Sequence, residues 1–252
     1  MTFLDANTWT GRWPFAFLAN FSARTLSDHL HRHGIRRALV SPLDAVFAPE
    51  PGPANRDLLR STRKLPQLSP VPVINPMLPN WRDELAACAA DERVRAVRIL
   101  PNYHNYRLRS RRVDELVAAL TECNVRLVVN IRLIDERHEY FALNIKSVAA
   151  ADLAQLLSRH PKFPVLASGL GRTDIRALTP KFPQLLADLS FAEWDETVTN
   201  LLQSAPAGQL AFASHTPFLI TQAAIDKLSA ARVSVSIRRQ IAAENLEDFL
   251  SA

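Results

Sequence analysis

Short apolar or β-branched runs alternate along this chain with stretches whose apolar residues recur every three or four positions. The runs predict strands at residues 3–7, 37–41, 71–75, 96–100, 126–131, 164–168, 184–189 and 209–213. The stretches between them predict helices at residues 25–33, 55–64, 81–90, 113–123, 151–160, 172–178, 193–204 and 221–231, and a closing helix at 236–250. Strand–helix units that follow one another without a linker predict an α/β chain whose parallel sheet closes as a (β/α)8 TIM barrel, a single domain over residues 1–252. Prolines stand just past several strands (Pro42, Pro76, Pro101, Pro217), where a residue without an N–H cannot extend the ladder. The Pro-rich run 48–54 reads as a surface excursion between units.

In such a barrel the inward side chains at the C-terminal strand ends build the site, and alternation along each strand selects them. Phe3, Asp5, Asn7 and Trp9 share one face of the first strand. Ala96 pairs with Arg98, Val128 with Asn130, Leu186 with Asp188 and Ser190, and Ala211 and Ala213 with His215. An inward Arg needs a partner, because a buried unpaired charge is expensive. Asp5 and Asp188 are candidates for that pairing. Alternatively Arg98 clamps a substrate carboxylate bidentately, with Asn7 and Asn130 as neutral hydrogen-bonding groups. His215 is then the general acid or base, since an imidazole titrates near working pH.

Asp188 and His104 complete the catalytic candidates. Trp9, Tyr103 and Trp13 read equally as a pocket wall and as loop anchors. His138 closes the loop sequence Asp135-Glu136-Arg137-His138, a candidate contact for substrate. His104, His138 and His215 all fall in loops at the catalytic end, and three imidazoles can in principle hold Zn²⁺. The alternative is that each bonds to a loop or faces water. His29, His31 and His33 lie on one helix but diverge around it, which makes a solvated helix end. Gly169-Leu170-Gly171 lacks the longer phosphate-binding fingerprint and reads as a turn.

Composition narrows the function classes. Of 252 residues 48% are apolar and 22% charged, ordinary for a soluble protein with a sizeable core. The longest apolar runs are broken by Arg or Asn well short of a membrane span, and no basic-then-apolar leader opens the chain. Two isolated cysteines, Cys88 and Cys123, suggest free thiols in a reducing cytoplasm. The net charge of +5 concentrates in 107–112, where Asp114 and Glu115 follow at once, so a solvated loop is expected rather than a nucleic-acid interface. A small molecule is the expected partner. Homo-oligomerisation stays open.

Several segments carry a resemblance. The opening Asp5-Ala-Asn-Thr-Trp-Thr-Gly-Arg-Trp-Pro-Phe15 and the fourth-strand Arg95-Ala-Val-Arg-Ile-Leu-Pro-Asn-Tyr-His104-Asn-Tyr106 are the longest. With Asp135–His138, Ser214-His-Thr-Pro-Phe218 and the closing Ile241-Ala-Ala-Glu-Asn245-Leu-Glu-Asp-Phe-Leu250 they resemble the amidohydrolase-related (metal-dependent hydrolase, type 2) family. The resemblance covers most of the chain and implies a barrel enzyme that hydrolyses, or cleaves by a lyase reaction, a small carboxylate- or amide-bearing compound. It places the family's metal ligands on Asn7, Trp9, Arg98, near Asn130 and Ser168, and on His215. Those residue types make a poor cation site, because Arg cannot bind a metal and Trp offers no ligand. No cofactor is therefore expected, with a Zn or Mn centre as the open alternative. A non-catalytic barrel that binds a ligand or partner protein is the competing reading.

Overall fold

The computed structural model describes residues 1–15, 21–135, 140, 143 and 145–251. Strand β1 (Phe3–Thr10) pairs with β2 (Ile35–Pro42), and β2 with β3 (Leu68–Pro70), all parallel. A second parallel sheet runs in sequence order through β4 (Ala96–Ile99), β5 (Arg126–Asn130), β6 (Val165–Ser168), β7 (Leu185–Asp188) and β8 (Leu210–Ala211). Two isolated parallel bridges, Val73 with Arg98 and Thr8 with Thr216, join the sheets along both seams. The backbone bonds Arg98 N to Pro72 O (2.7 Å) and Ala6 N to Phe212 O (3.0 Å) reinforce the closure. The result is the expected (β/α)8 barrel.

The third strand is shorter and earlier than the apolar run 71–75 suggests. Pro70, Pro72 and Pro76 carry no N–H, so that segment meets β4 through single contacts instead of a ladder. Helices α1 (Ala23–Arg32), α2 (Gly52–Thr62), α3 (Trp81–Ala89), α4 (Arg111–Glu122), α5 (Ala150–Arg159), α6 (Arg172–Leu178), α7 (Thr197–Leu201) and α8 (Thr221–Ser229) follow the strands. Part of the run 48–54 is not surface loop, since α2 opens at Gly52 behind Pro51. Helix α7 covers far less than the expected 193–204. There Thr197 Oγ1 accepts from Trp194 N (2.7 Å) and donates to Trp194 O (2.5 Å), and Glu196 adopts a φ of 44°. A local turn outcompetes the first helical turn. His29 also departs from a solvated helix end, being half-buried with Nε2 2.8 Å from Thr221 Oγ1.

Alternation sorts the core into two layers. Val97, Ile99, Leu127, Val129, Val165, Ala167, Leu185 and Ala187 face outward onto helical residues such as Leu116, Leu153 and Ile175. Leu4, Leu39, Val71, Ala96, Val128, Leu166, Leu186 and Ala211 fill the lower barrel. The chain ends in α9 (Val235–Arg239), a π-helical turn (Gln240–Glu244) and α10 (Asn245–Ser251), whose Leu246, Phe249 and Leu250 plug that end. Inside the barrel Arg126 Nε donates to Phe249 O at 3.0 Å, capping a carbonyl near the end of α10. Among the described residues no helix is long and apolar enough to cross a membrane.

Candidate functional site

Polar side chains gather one rung above the apolar layer. Arg98, Asn130, Ser168 and Asp188 follow the inward parity of their strands, two residues beyond Ala96, Val128, Leu166 and Leu186. Strand β1 reaches the same layer differently. Leu4 and Ala6 face the lower core, whereas Phe3 faces the helices, and the β1–β2 register shifts between Asp5 and Thr8. That irregularity turns Asn7 and Trp9 inward. The simple alternation Phe3, Asp5, Asn7, Trp9 is therefore corrected: a bulge, not parity, aims Asn7. Asp5 Oδ1 holds the bulge by accepting from Asn7 N and Ser214 N, each at 3.0 Å.

Arg98 is the centre of the layer and is fully buried. Its Nη1 donates to Asn7 Oδ1 (3.1 Å), Asn130 Oδ1 (3.4 Å) and Ser168 Oγ (3.3 Å). The guanidinium carbon lies 4.3 Å from the Trp9 ring centroid, a cation–π contact that closes one face. Among the described residues its Nε and Nη2 are buried without a hydrogen-bond partner, as are Asn130 Nδ2 and Trp9 Nε1. Neither expected acid pairs with it directly. Burial lowers the Arg98 pKa to about 9, with Asp188 pulling it back up, so the group still carries its charge near neutral pH.

Asn7 links the rest. Its Nδ2 donates to Asp188 Oδ2 (3.0 Å) and meets His215 Nδ1 at 2.7 Å, while its oxygen takes the Arg98 bond. With the amide so oriented, His215 Nδ1 must accept, and Nε2–H donates to Leu133 O at 2.6 Å. Asp188 Oδ1 accepts from Gly169 N (3.2 Å), Ser190 N (3.1 Å) and Ser190 Oγ (2.6 Å). The Gly169 turn thus directs its N–H at a carboxylate in the protein rather than at a phosphate. A Cβ on Gly169, at φ +90°, would stand 2.5 Å from Arg132 O.

His215 does not have the free, near-neutral imidazole expected of an acid–base group. Burial pushes its pKa down to about 4, opposed by the Leu133 carbonyl and Asp188, and both ring nitrogens are engaged. His215 also holds a left-handed φ of 55°, kept in place by those bonds. Asp5 moves the other way: burial raises its carboxyl to about 7 against the Ser214 and Asn7 hydrogen bonds.

Above the layer lies an aromatic cap. Trp13 packs edge-on against Phe15 (5.7 Å), Tyr103 (6.5 Å) and Phe218 (5.3 Å), and Phe218 stacks on His215 (5.2 Å). Through Phe218 this aromatic cluster, Tyr103 and Trp13 included, reaches the polar layer at His215. His104 stands apart, its Nε2 3.2 Å from Ala45 O, and burial lowers its pKa. His138 lies outside the described residues, as do Glu136 and Arg137. Ser168, singled out in the sequence only as a position where the resemblance places a family ligand, is a direct Arg98 contact, as β6 parity with Leu166 marks it. The basic stretch is tied up locally, with Arg107 facing Asp152 (3.7 Å) and Arg111 facing Glu115 (3.3 Å).

The donor set does not fit a divalent metal. A guanidinium occupies the middle of the layer, both His215 nitrogens are engaged, and the described residues hold no cluster of three or more His, Cys, Asp or Glu suited to a cation.

Neither a family model nor a curated protein matches the sequence. Solved structures match the fold. A 2,6-dihydroxybenzoate decarboxylase from Rhizobium aligns at TM-score 0.75 and 12% identity over 98% of both chains. A dihydroxybenzoic acid decarboxylase from Polaromonas, solved with bound manganese and the inhibitor 2-nitroresorcinol, aligns at TM-score 0.73 and 13% identity, over 98% of this chain and 96% of its own. A protein of Staphylococcus aureus described as an amidohydrolase aligns at TM-score 0.73 and 9% identity over the whole of both chains. At such identities the likeness establishes the barrel fold alone and leaves the chemistry to this chain's own residues.

Proposed function

We propose that the barrel binds a small carboxylate-bearing compound on Arg98 and acts on it as a hydrolase or lyase, with no divalent metal at the customary position. One observation carries the reading: a fully buried guanidinium at the C-terminal strand ends whose Nε and Nη2 have no acceptor among the described residues. A buried donor without a partner costs about 1–3 kcal/mol, more when charged, so such a group is completed by an anion. Asn130 Nδ2 adds a neutral donor in the same layer. Asn7 fixes Nη1, and Asp188 and His215 fix Asn7, which makes these two positioning residues. Tyr103 and Trp9 wall the layer; His104 would act only from its edge. The dihydroxybenzoic acid decarboxylases that share this fold act on small acids, which agrees with the reading.

A second reading, binding without turnover, is favoured by one feature: every polar side-chain atom of Asp188 and His215 is already hydrogen-bonded within the protein. A thermal-shift screen of small mono- and dicarboxylates, followed by NMR of each stabilising compound after incubation, separates the two. Stabilisation with a new product supports the enzyme, and stabilisation without one supports the binder. If no carboxylate raises Tm, both fall.

A further inference from the structure

We infer that Arg98 is the resident cation of this barrel: Nη1 sits as the central positive group among Asn7, Asn130 and Ser168, and the Nε–Nη2 edge is left as a fork for both oxygens of one carboxylate. The second half rests on the proposed carboxylate site; the first half does not.

The geometry supports both halves. One nitrogen faces three oxygens from three different strands at 3.1, 3.4 and 3.3 Å. All three oxygens belong to neutral groups, so Arg98 supplies the positive charge of the layer, and the nearby carboxylate Asp188 acts on it without direct contact. Strand register explains how they meet. Asn130 and Ser168 face each other across β5 and β6, whereas Arg98 pairs with Val128 one rung below. Only a long side chain starting from that lower rung brings its head group up among them. A guanidinium carries its donors in a fixed plane, and Nε–H and Nη2–H lie side by side along one edge at the spacing of carboxylate oxygens. Those two are the donors left without a partner. Trp9 covers a face of the plane, which leaves edge-on approach. A divalent ion brought to the same spot would meet a buried like charge, and like charges repel most strongly where water is excluded.

The test uses the full chain with Arg98→Ala and Arg98→Lys, read by thermal unfolding in the presence of methylguanidinium, Mn²⁺ or Zn²⁺, with bound metal measured after gel filtration. Arg98→Ala is expected to lose Tm and to recover roughly half of the loss or more with methylguanidinium, at a concentration that leaves the wild type unchanged. Neither metal is expected to restore it. Recovery with metal instead of methylguanidinium, or no recovery in a folded variant, overturns the resident cation.

Should Arg98→Ala show no cooperative transition, Arg98→Lys decides. It keeps a cation and is expected to fold without retaining metal. Stoichiometric Mn²⁺ or Zn²⁺ in Arg98→Lys or the wild type overturns the inference. For the fork, acetate, succinate and benzoate serve as probes. Any that stabilises the wild type is expected to bind Arg98→Lys at least about tenfold more weakly, because an ammonium is a point charge without a planar edge; equal affinity overturns the fork. If none of the probes stabilises the wild type, the carboxylate reading fails, while the methylguanidinium result still decides whether the cation is resident.

Discussion

Two arginines point into the same barrel and meet opposite circumstances. Arg126, at the lower end, donates Nε to the Phe249 carbonyl of the plugging helix, and none of its nitrogens is both buried and unpartnered. Arg98, at the upper end, is wholly buried and keeps two donors open. Folding alone explains the first, because it caps a helix end and covers apolar surface with its stem. Folding does not explain the second, which leaves polar groups desolvated for no internal gain. The contrast separates the half of the barrel that holds the chain together from the half that, in the proposed reading, receives a carboxylate.

The sharpest way to break that contrast is to remove each charge while keeping side-chain length. Arg98→Met is expected to weaken any bound small carboxylate by about a hundredfold or more, since two charge-assisted hydrogen bonds contribute roughly 1.5–3 kcal/mol each. Isothermal titration checks this, and an unchanged Kd would place the ligand elsewhere.

Next in size is a pH effect confined to the upper half. The Asp5 carboxyl, raised from 3.8 to about 7, binds a proton in the folded chain that the unfolded chain has released, so its contribution to stability falls as pH rises through that window. His215, lowered from 6.5 to about 4, has the reverse sign, and its contribution is lost as pH falls through that window. The two slopes oppose one another where the windows overlap. Asp5→Asn keeps the Oδ1 acceptor of the bulge and removes one slope. Its urea midpoints should then climb between about pH 4 and 6.5 by the equivalent of about 2–3 kcal/mol, against a flatter wild-type profile.

Arg126→Met should cost about 1–2 kcal/mol in urea unfolding, for one hydrogen bond from a charged donor, and leave ligand affinity untouched. Trp9→Phe, which keeps a ring over the guanidinium, is expected to change stability by less than about 1 kcal/mol and affinity by less than about threefold.

Much of this is legible in the sequence. Strand parity placed Arg98, Asn130 and Asp188 inward, because β4, β5 and β7 are regular and alternate without interruption. Asn7 reaches the layer through the β1 bulge, a route that a period of two cannot express, whereas His215 keeps the parity of Ala211 and Ala213 although it lies four residues beyond the end of β8 with a left-handed backbone. Asp5 was misread for the same reason: as a group of the bulge it binds backbone N–H, not Arg98. Partner choice was also hidden. Nothing in the spacing of residues says that an amide would stand between Arg98 and Asp188, or that both imidazole nitrogens of His215 would be engaged.

The burial of Arg98 has a kinetic consequence. With the guanidinium entirely covered, a carboxylate bound there as proposed enters only after neighbouring side chains shift aside. Arrival is then governed by how often that cover opens, and observed association rates should level off with concentration instead of rising without limit. The same cover that delays entry delays escape, so occupancy at this site would be long-lived even where affinity is modest.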